Sequence, residues 1–286
     1  MKLKGRSALI TGANQGLGEA IAHEFVSQGA DVLLAARNTL LLEQTVEKLR
    51  AMRPDPAQKV EGLAADIGSL PDIERLREKV EADFPPLTIL VNNAGVYGPI
   101  GPLDEIDWEE WVQAVQINLV GTAAIMRAFL PGFKAQKYGK IINLSGGGAT
   151  APLPRFSAYA ASKAAIVRLT ETLAHELTDY RVDVNAIAPG ALNTRLLDQV
   201  LEAGPEKAGS DFYQRSRKQQ QEGGTSLKKG AELAVWLASA ESDGFSGRLV
   251  SAVWDDWAKF SQKLDRIAGS DVFTLRRIVP QDRGWE

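Results

Sequence analysis

A glycine-rich turn near the start of the chain is the feature that most restricts its fold. Residues 7–10 are a short apolar run, residues 11–18 read TGANQGLG, and apolar residues then recur at helical spacing as far as Val26. This order predicts a strand, a glycine loop and a helix. Glycine lets the backbone come close to a ligand, and the start of a helix offers unpaired N–H groups to a pyrophosphate. The segment therefore predicts a nucleotide-binding unit of an α/β fold.

Composition fits one domain of that kind. The chain has 286 residues, of which 44% are hydrophobic and 24% charged, enough to bury a full core in one doubly wound domain. A formal net charge of −3 and a pI near 5.6 argue against nucleic acid or an anionic membrane as the main partner. The chain has no cysteine, and His23 and His175 lie far apart in sequence, so no metal site is expected.

Location is predicted from the same sequence. No apolar run approaches the roughly 20 residues that span a bilayer, so no membrane partner is expected. Met1 leads directly into the first predicted strand, which predicts that there is no signal peptide. We therefore expect a cytoplasmic protein.

Residues 141–163 place two ionisable side chains on one face of a helix. The segment opens as a strand, passes through three glycines and two prolines, and begins a helix that carries Tyr159 and Lys163. Residues four apart share a helix face. An ammonium beside a phenol favours the phenolate, so the pKa of the tyrosine is expected to fall from about 10 toward neutrality, where it can transfer protons. Taken alone, the pair also fits an ordinary helix surface.

Further motifs occur in a fixed order along the chain. They are Asn92-Asn93-Ala94-Gly95 after an apolar strand, Asn118 in a later helix, Tyr159-x-x-x-Lys163, and Pro189-Gly190 with Thr194. With the glycine turn, this series resembles the short-chain dehydrogenase/reductase family over about residues 3–253. The resemblance implies an α/β fold with a doubly wound parallel sheet (Rossmann fold) in a single domain, residues 1–254. It also implies hydride transfer between a nicotinamide cofactor and a carbonyl or alcohol carbon.

The resemblance assigns roles residue by residue. Tyr159 would give or take the proton, Lys163 would lower its pKa and hold the nicotinamide ribose, and Asn118 would distort its helix and continue a proton relay. Asp66 would bond the adenine amino group, and the two asparagines of residues 92–95 would pin neighbouring strands. The implied cofactor-binding positions are Gly12, Asn14, Gln15, Gly16, Leu17, Gly18, Arg37, Asp66, Ile67, Asn93, Ala94, Gly95, Tyr159, Lys163, Pro189, Gly190, Leu192 and Thr194.

The end of the second predicted strand indicates which cofactor is preferred. A carboxylate there would accept from the 2′-hydroxyl of NAD, but this chain has Ala36 followed by Arg37. A guanidinium can bind a 2′-phosphate or stack on adenine. NADP(H) is therefore preferred over NAD(H). In the alternative reading, Arg37 only caps the strand at the surface.

The chain departs from the family pattern at the catalytic serine. The family has a serine 13 residues before the tyrosine, where it donates to the substrate carbonyl oxygen, and this chain has Gly146 there. Ser145 stands one residue earlier. Either the glycine loop lets Ser145 donate, or the site works with the tyrosine alone, or carbonyl reduction is impaired.

Two later regions carry less transferable information. Residues 195–230 would form a lid over the substrate; the polar, turn-rich part from Gly204 carries more lysine and arginine than acidic residues, which is one indication of an anionic substrate. Arg155 would strengthen that indication if it pointed into the cleft. Residues 255–286 extend beyond the usual family end and are too apolar to be disordered, so they should pack on the domain or a neighbouring subunit.

Two classes of function follow. The first is an NADP(H)-dependent oxidoreductase acting on a small carbonyl or alcohol substrate, with Tyr159, Lys163, Asn118 and Ser145 as catalytic residues. It would assemble as a homodimer or homotetramer through the helices of residues 106–130 and 158–176, where alanines permit close approach. The second is a nucleotide-binding protein of this fold with reduced or lost catalysis. Retention of Tyr159, Lys163 and Asn118 favours the first class, and Gly146 favours the second.

Overall fold

A seven-stranded parallel sheet forms the centre of the computed structural model, which describes residues 1–285. The strand order is β3-β2-β1-β4-β5-β6-β7, and every neighbouring pair is parallel. The strands are β1 Ser7–Thr11, β2 Asp31–Ala36, β3 Val60–Ala64, β4 Ile89–Asn92, β5 Gly139–Leu144, β6 Val182–Ala188 and β7 Leu249–Ser251. This is the predicted doubly wound α/β fold. The order reverses between β1 and β4, which is where such sheets open a ligand crevice at their carboxyl edge.

Helices cover both faces of the sheet. They are α1 Gly16–Ser27, α2 Thr39–Met52, α3 Leu70–Asp83, α4 Trp108–Val115, α5 Thr122–Gln136, α6 Ser157–Glu176, α7 Arg195–Ala208, α8 Ser210–Glu222, α9 Leu227–Ala238 and α10 Leu264–Ala268. Successive strand residues alternate between the two faces. In β1, for example, Ile10 packs with α1, α2 and α9, whereas Leu9 packs with α3, α5 and the end of α6.

One helical stretch has an irregular centre and an apolar composition. Residues 116–121 between α4 and α5 are π-helical and contain Asn118, so the predicted distortion at this asparagine is present. The joined helix Trp108–Gln136 has 29 residues and is long and apolar enough, by length and composition, to cross a membrane. The expectation of no membrane partner rested on the absence of a long unbroken apolar run, and it stays a prediction. Core helices pass the same test, and this one packs Ile125, Phe129 and Phe133 against the sheet.

The predicted lid is more regular than its composition indicated. Residues 204–230 were expected to be rich in turns, but α7 and α8 cover most of them and only short glycine joints separate the helices. Gly204, Gly209 and Gly223 have φ values of 75°, 84° and 87°, in the left-handed region that favours glycine. From here on, the lid means α7 and α8.

The C-terminal extension packs on its own domain over residues 255–275. Phe260 and Ile267 are buried in the core beside α9, and the backbone N–H of Leu249 in edge strand β7 donates to the carbonyl of Phe273 at 2.8 Å. Buried Arg248 donates to the carbonyls of Ile267, Ala268, Ser270 and Val272. The extension thus covers the β7 edge of the sheet, while Ile278 and Trp285 are exposed. The last residue of the predicted extension, Glu286, lies outside the described residues.

Candidate active site

A cleft of about 540 Å³ opens at the carboxyl edge of the sheet, where the strand order reverses. Predicted site residues that line it are Gly12, Asn14, Gln15, Gly16, Leu17, Arg37, Asp66, Ile67, Asn93, Ala94, Gly95, Ser145, Tyr159, Lys163, Pro189, Leu192 and Thr194. Three predicted residues, Gly18, Asn118 and Gly190, do not line the cleft. Gly18 packs against the Gly12 carbonyl and Asn118 lies next to Gly95, whereas Gly190 is exposed. Positions widely separated in sequence therefore meet at one edge, because parallel strands all end there.

The glycine turn is shaped to accept a ligand against bare backbone. Gly12 and Gly16 have φ values of 63° and 58°, and a Cβ on Gly12 would come within 2.8 Å of the Ala94 Cα. A Cβ on Gly18 would collide with the Gly12 carbonyl oxygen, so this glycine allows α1 to pack on the turn. Gln15 precedes α1 without a side-chain cap, which leaves the first N–H groups of the helix to a ligand at the cleft. The cradle fits a dinucleotide pyrophosphate.

The asparagine motif joins three strands beneath the cleft. Asn92 Nδ2 donates to Asn143 Oδ1 at 2.8 Å, and Asn93 Nδ2 donates to the carbonyls of Thr11 and Gly12 at 3.0 Å. The Thr11 hydroxyl accepts from the N–H groups of Asn93 and Ala94 at 3.1 Å. This network agrees with the expectation that these asparagines hold neighbouring strands together. It also fixes the position of the backbone beneath the cofactor site.

The far end of the cleft contains the groups that would meet the adenosine half of a dinucleotide. Arg37 is about half exposed, and its guanidinium lies 3.7 Å from a carboxylate oxygen of Asp66. Asp66 also accepts from the N–H of Gly68 at 2.8 Å, while Asn38 caps α2 by accepting from Leu41. A long, exposed ion pair is weak, so the Arg37 side chain is free to turn toward a phosphate.

Tyr159 and Lys163 lie side by side in the wall of the cleft. Both are buried, at 7% and 5% exposure. Lys163 Nζ donates to the Leu144 carbonyl at 2.7 Å and lies 5.5 Å from the centroid of the Tyr159 ring. Asn118 exchanges two hydrogen bonds with the backbone of Val96, at 2.9 and 2.8 Å, and so holds the strand end next to Gly95. The three predicted members of the proton path are thus grouped around one strand end.

Burial shifts the pKa of Tyr159 upward, opposite to the expected direction. Desolvation is the main reason that the pKa of Tyr159 lies well above 10, and neighbouring Tyr97 raises it further. Desolvation also lowers the pKa of Lys163 to about 8. The expectation of a lowered tyrosine pKa was wrong for this arrangement, since the ammonium is bonded to a carbonyl and faces the ring. Tyr159 is therefore protonated at neutral pH.

The glycine loop explains the departure at the serine position. A Cβ on Gly146 would collide with the Tyr159 hydroxyl oxygen, so a side chain at 146 and the tyrosine in this position exclude each other. Ser145 lines the cleft, and its N–H donates to the Ile187 carbonyl at 2.8 Å. The Ser145 hydroxyl is buried and has no hydrogen-bond partner among the described residues. A buried hydroxyl without a hydrogen-bond partner lowers stability unless a ligand supplies the missing hydrogen bond.

Some residues of the cleft were missed from the sequence. Asn193, Arg195 and Leu196 follow Pro189-Gly190 and line the cleft together with Leu227. The helix start after Thr194 was the available signal, because it places Arg195 in the first turn of α7. Arg155, by contrast, does not line the cleft. Its Nη1 donates to the carbonyls of Glu206 and Lys207, at 2.5 and 3.2 Å, where α7 ends.

Comparison with known proteins identifies the family. The model of the family described as short chain dehydrogenase matches residues 6–204. The chain belongs to this family. The site contacts described above therefore belong to a short-chain dehydrogenase. They include the 2.8 Å hydrogen bond between Asn92 and Asn143 and the position of Lys163 beside Tyr159.

Individual relatives are moderately similar. An 11-beta-hydroxysteroid dehydrogenase-like 3 protein of Arabidopsis thaliana is 34% identical over 204 residues, covering 71% of this chain and 63% of that protein. Oxidoreductase UcpA of Salmonella typhimurium is 32% identical over 248 residues, covering 86% and 92%. The matched region spans only 60% to 63% of the plant protein and of two further curated relatives from Drosophila melanogaster and Pseudocercospora fijiensis.

Solved structures share the fold over most of the chain. An NAD⁺-bound xylitol dehydrogenase superposes with a TM-score of 0.79 at 25% identity, covering 88% of this chain and 98% of that one. A levodione reductase superposes with a TM-score of 0.80 at 25% identity, covering 91% and 99%.

Proposed function

We propose that the protein is an NADP(H)-dependent oxidoreductase that interconverts a carbonyl group and an alcohol. The observation that carries this proposal is the meeting of buried Tyr159 and Lys163 with a glycine cradle in one cleft. A proton donor beside a dinucleotide-shaped site is what carbonyl reduction requires. Family membership supports the same class of reaction.

Each side chain has a defined part in this proposal. A bound nicotinamide cofactor supplies or accepts the hydride. Tyr159, protonated at neutral pH, donates its hydroxyl proton to the substrate oxygen during reduction and takes it back during oxidation. Lys163 has its ammonium near the ring of Tyr159, where it stabilises the phenolate left after proton transfer. Asn118 positions the strand end under the cofactor, and Ser145 donates its otherwise unpartnered hydroxyl to the substrate oxygen.

Arg37 supports the preference for NADP(H). Its guanidinium lies at the end of β2 beside the adenosine end of the cleft, and its only carboxylate contact among the described residues is the 3.7 Å pair with Asp66. A 2′-phosphate would give Arg37 a stronger, charge-assisted bond. Both cofactors occur among the similar structures, since one is titled NAD⁺-bound and another an NADPH-dependent reductase.

The helices around the site support self-association. Val112 and Val120 are 47% and 44% exposed on the outer side of α4 and the π-helical segment, and Ala161 is exposed on α6. Small and apolar residues on neighbouring helices suit a symmetric interface. We propose a homodimer or homotetramer through these helices. The cytoplasmic location stays a prediction.

Cofactor oxidation tests the proposal. Purified protein is mixed with NADPH, and separately with NADH, and a panel of ketones and aldehydes, and absorbance of the reduced cofactor is followed. We expect turnover with NADPH that disappears in Tyr159→Phe, which keeps the ring but loses the proton donor, while NADPH binding is unchanged. Binding of NADPH without turnover of any carbonyl would favour the second class, a nucleotide-binding protein with reduced catalysis. The glycine at position 146 is the observation that keeps that class open.

A further inference from the structure

A row of aromatic rings leads away from the Tyr159 hydroxyl toward the lid. Tyr97 meets Tyr159 edge to face with ring centroids 4.7 Å apart, Phe156 meets Tyr97 at 5.1 Å, and Phe212 meets Phe156 at 4.9 Å. Phe212 belongs to α8 of the lid, whereas the other three rings belong to the body of the domain. We call these four residues the aromatic row.

The lid turns apolar side chains toward this row. Val200 and Ala208 of α7 are 1% and 2% exposed and pack with Phe156 and Tyr159, and Tyr213 of α8 joins them while partly buried. The ring of the proton donor is therefore packed beside rings and aliphatic groups contributed by both the body and the lid.

The cations of residues 204–230 lie on the exposed surface. The lysines and arginines of residues 204–230 are all exposed, and they are Lys207, Arg215, Arg217, Lys218, Lys228 and Lys229. Arg215 stacks on Phe212 at 5.7 Å, Lys218 is 3.8 Å from Glu222, and Arg155 is occupied by the carbonyls at the end of α7. Lys163 and Arg195 line the cofactor cleft, which the row meets at Tyr159. The Lys163 ammonium lies 5.5 Å from the Tyr159 ring and donates to the Leu144 carbonyl.

This distribution indicates what the site accepts. Among the described residues, cations stack on the Phe212 and Tyr159 rings but on neither Tyr97 nor Phe156. An anionic group placed against these two central rings would lose its water without gaining a counter-charge there, which is strongly unfavourable. A flat or alicyclic apolar group would instead bury its surface against Tyr97 and Phe212. Building on the proposed function, we propose that the substrate is an uncharged carbonyl or alcohol compound with a ring-bearing apolar substituent, which packs on the aromatic row beneath the lid.

A pair of ketones that differ by one carboxylate tests this assignment. Acetophenone and 4-acetylbenzoate share the reacting group and the ring, so the ratio of their kcat/KM values with NADPH reports the preference for charge. We expect acetophenone to be favoured by about 10-fold or more, which is the scale of discrimination by an apolar pocket. A higher kcat/KM for 4-acetylbenzoate would overturn the proposal.

Matched variants on one lid helix locate the effect. Phe212→Ala removes a ring of the row and should lower kcat/KM for acetophenone by about 10-fold, with the Kd of NADPH unchanged. Lys218→Ala removes a charge from the outer side of the same helix and should change neither ketone. The Tm of each variant shows that it is folded. A loss for 4-acetylbenzoate in Lys218→Ala, without a loss in Phe212→Ala, would show that an anionic substrate is recruited by the lid.

A measurement of ketone binding distinguishes two outcomes: the protein does not reduce carbonyls, or the aromatic row does not bind the substrate. If neither these two ketones nor any carbonyl of the wider panel is turned over, the proposed function fails. Saturation-transfer NMR with the NADP⁺-loaded protein then compares the two ketones directly. Binding of acetophenone that weakens in Phe212→Ala supports the aromatic row as a ligand site, whereas equal or tighter binding of 4-acetylbenzoate refutes it.

Discussion

The floor of the cleft and its lid are held in place by different interactions. The floor consists of the strand ends and the turns that follow them, and the parallel register of the sheet fixes it, for example by pairing Ile10 with Val91 and Val91 with Ile142. The lid consists of α7 and α8, which pair with no strand and are connected through left-handed glycines. Residue roles can therefore be carried over by motif on the floor, whereas the lid has to be interpreted from what its side chains contact.

The sharpest test of the floor compares two adjacent glycines. Gly146→Ala adds a Cβ that collides with the Tyr159 hydroxyl, while a Cβ on Gly147 would meet only Leu153 at 3.7 Å, an ordinary contact. We expect Gly146→Ala to lower kcat by about 10² to 10⁴-fold because it displaces the proton donor, and Gly147→Ala to have little effect. Steady-state kinetics with NADPH measures both. Equal activities would show that the tyrosine adopts a different position during turnover.

Ser145→Ala tests whether the floor has a second donor. Loss of a hydrogen bond to the developing oxyanion should lower kcat by about 10²-fold and leave the Kd of NADPH unchanged. The Tm should not fall, because the hydroxyl has no hydrogen-bond partner among the described residues. Unchanged kcat would mean that Tyr159 works alone and that the buried hydroxyl serves no substrate.

The buried lysine of the floor should make stability depend on pH. Burial lowers the pKa of Lys163 to about 8 in the folded protein, against about 10.5 in the unfolded chain. Between these values the unfolded state binds more protons, so the lysine's contribution to the free energy of unfolding rises with pH. The full rise is on the order of 3 kcal/mol. Denaturant unfolding of wild type and Lys163→Met without cofactor, from pH 7 to 10, should show their difference changing in this direction. A constant difference would contradict the lowered pKa.

Arg37→Ala tests the adenosine end of the floor. Removing a charge-assisted bond should weaken NADPH binding by about 1.5 to 3 kcal/mol, while NADH binding should change little. Titration calorimetry with the two cofactors gives both constants. Equal weakening would show that Arg37 contacts a part that the two cofactors share, and the preference for NADP(H) would lose its support.

Arg155→Ala should produce the smallest effect, and it acts on the lid. The guanidinium ties the end of α7 to the loop before Tyr159, but the contact is exposed and therefore weak. We expect KM for the carbonyl substrate to change by about 5-fold or less, with the Kd of NADPH unaffected. Arg217→Ala, which removes an exposed arginine from α8, is the control. A change in cofactor affinity would show that the floor and the lid are coupled through this residue.

Sequence patterns predicted the floor more completely than the lid. The second predicted strand was expected to end at Ala36, as β2 does, and most motif positions, from Gly12 to Thr194, line one cleft. Gly18 and Asn118 were predicted as site residues from the motif series, but only the packing of the chain shows that they do not line the cleft. The lid was expected to be irregular because its composition is polar, yet long polar segments form helices when one side can pack on rings such as Phe156 and Tyr97.

The sequence by itself determined the order of strands, turns and helices, the glycines that bring backbone to a ligand, and the spacing that puts Tyr159 and Lys163 on one helix face. Local conformational preferences and hydrophobic periodicity carry that information. Tertiary structure alone decided the protonation of Tyr159, the exclusion of a side chain at position 146, and the direction in which the lid cations point. These properties depend on desolvation and on contacts between residues far apart in the chain, such as the 4.7 Å pair of Tyr97 and Tyr159.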